Sequence, residues 1–223
     1  MASKTQSEED NNLVLSYLNL RKAVGFLGIS FPFVLIIGAM LFGACTGVQD
    51  SISDYNNTNM RDVFVGILSA IALFLFAYSG YNDLDFWMAK AAGLFGFMVA
   101  IFPDALDDNE CTIYVKQIIP DWMATVHFIY AALFFLVLAY FCIFLFTKSK
   151  GEMTPEKKKR NTIYRVCGYT IIACLFLLAL YFFISALKEL LEDYKPVLIL
   201  EIIALWAFGF SWIVKGEFIL KDK

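Results

Sequence analysis

The chain reads as an all-α integral membrane protein, a polytopic transmembrane bundle of six helices with both termini cytoplasmic. Three observations lead there. Of 223 residues, 60% are hydrophobic and 17% are charged, with a mean hydropathy of +0.65. A soluble domain of this size has too little interior to hide so much apolar surface. Six apolar segments recur along the chain, each near the roughly 20 residues that a bilayer-spanning helix requires. Basic residues, finally, gather on one side of the path those segments trace.

Residues 1–12 (MASKTQSEEDNN) are polar and acidic and carry no secretory leader pattern, so the first apolar segment is expected to be a retained span. Residues 13–22 (LVLSYLNLRK) are a short amphipathic piece suited to lying along the membrane surface. Residues 1–23 are thus a tail with a juxtamembrane segment, 24–219 the six-helix domain and 220–223 a second tail. The spans are expected at 24–45, 62–80, 87–103, 122–147, 163–187 and 197–215. The third is rich in small residues (Ala89, Ala92, Gly93, Gly96, Ala100), which permits close helix approach and predicts a central position. Asn82 is placed to cap that helix, and Thr154-Pro155-Glu156 carries the N-cap, first-turn proline and acid of another helix start. That fifth helix then begins in solvent and carries Lys157, Lys158, Lys159 and Arg160.

Alternating sides leave only Arg61, Lys116, Lys188 and Lys195 outside, so 14 of the 18 basic residues face the cytoplasm. The basic run is first of all a topology signal, and second a surface for anionic lipid. Nothing else in the composition points to nucleic acid. No P-loop, dinucleotide fingerprint, GxSxG or HExxH motif occurs.

The polar chemistry is expected to collect at the outer face, beneath the stretch Asp50–Ser69 (DSISDYNNTNMRDVFVGILS). This loop carries Asp54 and enters the second span at Arg61-Asp62, with Ser69 on the same helical stripe as Asp62. Asp104 closes the third span. His127, the sole histidine, lies six residues past Asp121, roughly 9 Å down its helix, and Glu201 lies five residues past Pro196, roughly 7–8 Å down its own. Ionisable groups at such depth gain from partners, and Arg61–Asp62 and His127–Glu201 are candidate pairs. One reading is a headgroup pocket with His127 as acid or base; the other is a buried network that fixes helix register. Cys45 and Cys111 both fall at the outer side, where an oxidising exterior permits a disulfide. Cys142, Cys167 and Cys174 read as packing residues, and no spacing points to a metal or other cofactor.

SISD (51–54), RDVFVGIL (61–68), AGLFGFMVAIFPD (92–104) and VHFIYAALFF (126–135) resemble the FGF-receptor-activating-protein/DRAM/Sfk group of six-span proteins and related bacterial membrane proteins. The resemblance covers roughly residues 20–147. It implies a six-helix bundle, and eukaryotic members of that group are linked to GPI-anchor lipid remodelling and autophagy; no catalytic residues carry over. The seven-span alkaline ceramidase/adiponectin-receptor superfamily shares a Ser/Asp/His vocabulary, but its zinc site needs three histidines and this chain has one. The leading expectation is therefore a lipid-interacting multi-pass protein without an assigned reaction, in the plasma (inner) membrane if the source is bacterial. Its alternatives are a non-catalytic scaffold or sensor and a small-solute or ion transporter.

Overall fold

The computed structural model describes residues 2–43, 45–104, 120–149 and 151–221, and they are helical without a strand among them. Seven α-helices run α1 Ala2–Phe42, α2 Arg61–Ala77, α3 Asp83–Ile101, α4 Asp121–Tyr140, α5 Pro155–Phe183, α6 Ser185–Leu191 and α7 Pro196–Lys215. A π-helical turn, Phe141–Leu145, prolongs α4, and 3-10 turns occupy Ser53–Asn57 and Glu192–Tyr194. Six of the helices form a closed ring in chain order, with α7 packed on both α5 and α1.

Among the described residues, five helices are long and apolar enough to cross a bilayer: Leu15–Phe42 within α1, α3, α4 with its π turn, α5 and α7. The remaining ring member, α2, has 17 residues and spans about 25 Å at 1.5 Å per residue. Its buried ridge is Phe64, Leu68, Ile71, Ala72 and Leu75, the i, i+4, i+7 pattern of one helix face.

Local signals act where the sequence places them. The Asn82 side chain accepts from Asp85 N at 2.9 Å and starts α3, while Thr154 accepts from Lys157 N at 3.0 Å ahead of Pro155 and starts α5. The amino-terminal part differs from expectation. The tail and amphipathic piece are not separate, because α1 runs unbroken from Ala2 through residue 23 to Phe42. A continuous helix leaves no backbone amide unsatisfied between surface and span, which a break there would do. The small face of α3 does make a close approach: a Cβ on Gly93 would sit 2.8 Å from the Ala72 carbonyl oxygen. It does so from within the ring, between α2 and α4, and not from the centre. The close contact needs one facing neighbour, and α2 supplies it.

A second close approach joins α1 to α7, where Gly25 and Gly209 face each other. A Cβ on either would lie 2.7 Å from the other's carbonyl oxygen. The interior towards the turn carrying Lys157–Arg160, hereafter the basic end, is filled by aromatic rings. Trp212 lies edge-on to Tyr78 (5.7 Å) and Phe146 (5.1 Å), and Phe141 lies tilted against both of these at 6.1 and 6.0 Å.

Candidate functional site

At the opposite end, hereafter the loop end, the chain between α1 and α2 folds inward. Residues 51–58 are polar in sequence yet buried throughout, and an unpaired polar group left there costs about 1–3 kcal/mol. Much of the loop meets that requirement internally, while Asn56 Oδ1 is buried without a partner among the described residues. Ser51 N donates to Asp54 Oδ2 at 2.8 Å, and Asp54 N donates back to Ser51 Oγ at 3.0 Å. Gln49 N donates to the Tyr55 hydroxyl at 3.2 Å. Thr58 Oγ1 donates to the Tyr55 carbonyl at 2.9 Å and accepts from Met60 N at 3.1 Å, and the first turn of α2 follows.

Two helices then clamp this loop. His127 of α4 is 1% exposed. Its Nδ1 stands 2.7 Å from the Phe102 carbonyl at the end of α3 and donates to it, since a carbonyl oxygen only accepts. Its Nε2 stands 2.9 Å from Ser53 Oγ. One imidazole thus ties α4 to both α3 and the loop. Glu201 of α7 accepts from Ile52 N through Oε2 at 2.6 Å. Leu198 N donates to the Asp50 carbonyl at 2.9 Å, and Lys195 Nζ reaches the Val48 carbonyl at 2.5 Å and Asp50 Oδ1 at 2.7 Å. Lys195 holds a left-handed backbone (φ 51°, ψ 54°) immediately before Pro196. That conformation costs a non-glycine residue of order 1–2 kcal/mol, offset here by two side-chain bonds to the loop.

The sequence candidates therefore divide. Asp54, His127 and Glu201 meet at the loop, and Asp104 is buried at the end of α3 beside Phe102. His127 and Glu201 do not pair with each other, because each takes a group of the loop instead. Arg61 and Asp62 are exposed and Ser69 is only partly buried. Their stripe lies away from the Phe64–Leu75 ridge, and the ridge, with far more apolar area to bury, sets the rotation of α2. Cys45 is disulfide-bonded, Cys142, Cys167 and Cys174 are free, and Cys111 lies outside the described residues. Among the described residues no three His, Cys, Asp or Glu side chains converge as a metal would need.

Beside the clamp a cleft of about 440 Å³ opens between α4, α5 and α7. Phe128, Ile129, Phe135, Leu178 and Phe182 are among its walls, and Glu201 is its one acid. Glu201 thus has two faces. One oxygen holds the loop, and the side chain borders an apolar space.

A second polar cluster at the basic end escapes sequence reading. Asp85, in the first turn of α3, is fully buried and receives Lys148 Nζ at 2.7 Å on both oxygens, the Tyr140 hydroxyl at 3.1 Å and Tyr81 N at 3.1 Å. With the third span expected to begin at residue 87, Asp85 counts as a loop residue. The only available hint is an acid just inside a helix start, which ordinarily marks a solvated first turn. Compared with protein-family models, with curated proteins and with solved structures, the chain matches none.

Proposed function

We propose that the chain is a six-span membrane protein that seats a lipid chain in the α4–α5–α7 cleft, with the basic end cytoplasmic and Glu201 meeting a donor group of the lipid. The observation that carries this reading is the cleft itself, an apolar space with one carboxylate at its border. Phe128, Ile129, Phe182 and Phe183 are exposed around it, and in a membrane those positions face acyl chains. Glu201 Oε2 is committed to Ile52, which leaves Oε1 for a lipid hydroxyl or ammonium.

The six-span count is supported by the burial of the loop ahead of α2. Irregular backbone is tolerated at membrane depth where protein surrounds it, so residues 51–58 complete the depth that 17 helical residues leave short. The clustering of basic residues at the other end supports the orientation. Both fit the six-span group that the sequence resembles.

The test is a lipid carrying a photoreactive diazirine on its acyl chain, presented to the purified protein in nanodiscs. Labelling is expected to concentrate on residues 128–135 and 175–183, and to fall sharply in Ala179→Trp, which fills the cleft. Labels spread evenly round the ring, or unchanged in the variant, would refute the reading. A second reading, a non-catalytic scaffold, is favoured by the fully engaged imidazole and the sealed loop. It predicts uniform labelling together with a large stability loss on removing His127.

A further inference from the structure

We infer that the basic end contains a binding site for a phosphate-bearing anion. The inference does not rest on the lipid cleft, which lies at the other end of the bundle. A cavity of about 330 Å³ opens there, large against the roughly 30 Å³ of one water molecule. Arg21 of α1, Lys148, Lys157 and Arg160, and Lys215 of α7 line it. Only two carboxylates, Glu152 and Glu217, share its walls. Asp85 beneath neutralises Lys148.

The cations are placed to converge. The run Lys157–Arg160 is split by helical phase: Lys157 and Arg160, one turn apart, turn inward, while Lys158 and Lys159 are exposed. Arg160 is 5% exposed, with Nη1 anchored on the Leu220 carbonyl at 2.7 Å. Lys157 Nζ is anchored on the Phe146 carbonyl at 2.7 Å. Arg21 lies 4.2 Å over the Tyr17 ring, and its Nε is buried without an acceptor.

Lys215 is the decisive residue. It is 8% exposed, and its ammonium has only long contacts, to the Tyr81 hydroxyl at 3.3 Å and the Phe146 carbonyl at 3.5 Å. Aromatic faces surround it, with Tyr81 and Phe146 at 5.4 Å and Tyr164 at 6.0 Å. Among the described residues it has no carboxylate partner. A buried charge without a counter-charge is rare because the desolvation is severe. A buried amine beside guanidinium groups, protonated as an anion arrives, fits a multivalent anion, whose several oxygens accept from a fork and a point charge together. A monocarboxylate has too few acceptor sites for this donor set. The same phosphate chemistry is available from an anionic lipid headgroup of the adjacent leaflet and from free phosphate.

The experiment separates the sources with the full chain. Thermal unfolding in detergent is followed with inorganic phosphate against chloride at matched ionic strength. In parallel, lipids retained from phosphatidylcholine nanodiscs with and without phosphatidylglycerol are counted by native mass spectrometry. Lys215→Met, Arg21→Gln and the exposed control Lys158→Gln/Lys159→Gln are compared with the parent chain. We expect selective binding of one probe, weakened at least about tenfold in Lys215→Met and Arg21→Gln and little changed in the control. A phosphate-specific rise in melting temperature identifies the free anion; selective retention of phosphatidylglycerol alone identifies the lipid. Lys215→Met also removes a buried amine without a carboxylate partner, so it should melt no lower than the parent in phosphate-free buffer. If it fails to fold, Arg21→Gln at the rim decides. Absence of selective binding by either probe, or an equal loss in the control, would overturn the inference.

Discussion

Replacing His127 tests whether the loop end is a clamp. His127→Ala strands two buried partners, the Phe102 carbonyl and the Ser53 hydroxyl, and leaves a cavity where an imidazole 1% exposed had been. At about 1–3 kcal/mol per stranded group, with a further cavity contribution, the loss should be about 3–5 kcal/mol. Ser53→Ala removes only the 2.9 Å contact to Nε2 and should lower stability by about 1–2 kcal/mol. The double variant should lose less than the two together. Double-mutant cycles on polar contacts within a membrane bundle average about 0.6 kcal/mol and reach about 1.7 kcal/mol. A coupling near 1 kcal/mol is therefore expected for a buried contact of this geometry. The assay is unfolding in mixed detergent micelles, with amide exchange across residues 51–58 as a local readout that should lose protection in each single variant. Strict additivity, with protection of the loop unchanged, would refute the clamp.

Three other outcomes are expected. Gly209→Ala places a methyl group 2.7 Å from the Gly25 carbonyl oxygen and 2.9 Å from Ile29 N, both backbone atoms, and should destabilise the bundle by about 1–3 kcal/mol. Gly66→Ala, whose Cβ meets open space, should leave the melting temperature equal or higher. Cys45 is expected to be bonded to Cys111, so peptide mapping without reductant should recover a 45–111 cross-link, and finding both as free thiols would exclude it.

Helix starts were legible because their signals are local: Asn82 and Thr154 cap the turn beside them. The depth of His127 and Glu201 was legible for a similar reason, since helical rise converts residue number into distance. Their partners were not. Both reach largely for backbone groups, the Ile52 amide and the Phe102 carbonyl, and every residue carries such groups. Asp62 misled because a polar stripe near an acid looks like a site until a stronger apolar ridge on the same helix claims the interior. Lys215 misled in the opposite sense. At the end of a span it reads as one more topology charge, and only the fold closes Tyr81, Phe146 and Tyr164 around it.

The two ends of the bundle handle polarity in opposed ways, and the difference bears on transport. At the loop end, the buried loop and the helices that clamp it hold each other through fixed bonds, and the cleft beside them opens sideways. At the basic end, the cavity floor is Lys215, backed by Phe146, by Trp212 one turn deeper, and by Phe208 and Phe141 packed on these rings. A solute crossing the bundle would have to part this aromatic cluster and then break the imidazole's bonds to Ser53 and Phe102. Interiors packed to this density resist continuous deformation, so passage would demand a second discrete packing of the ring. If the cleft and the basic cavity are occupied as proposed, this packing makes them independent, and occupancy of one should leave the affinity of the other unchanged.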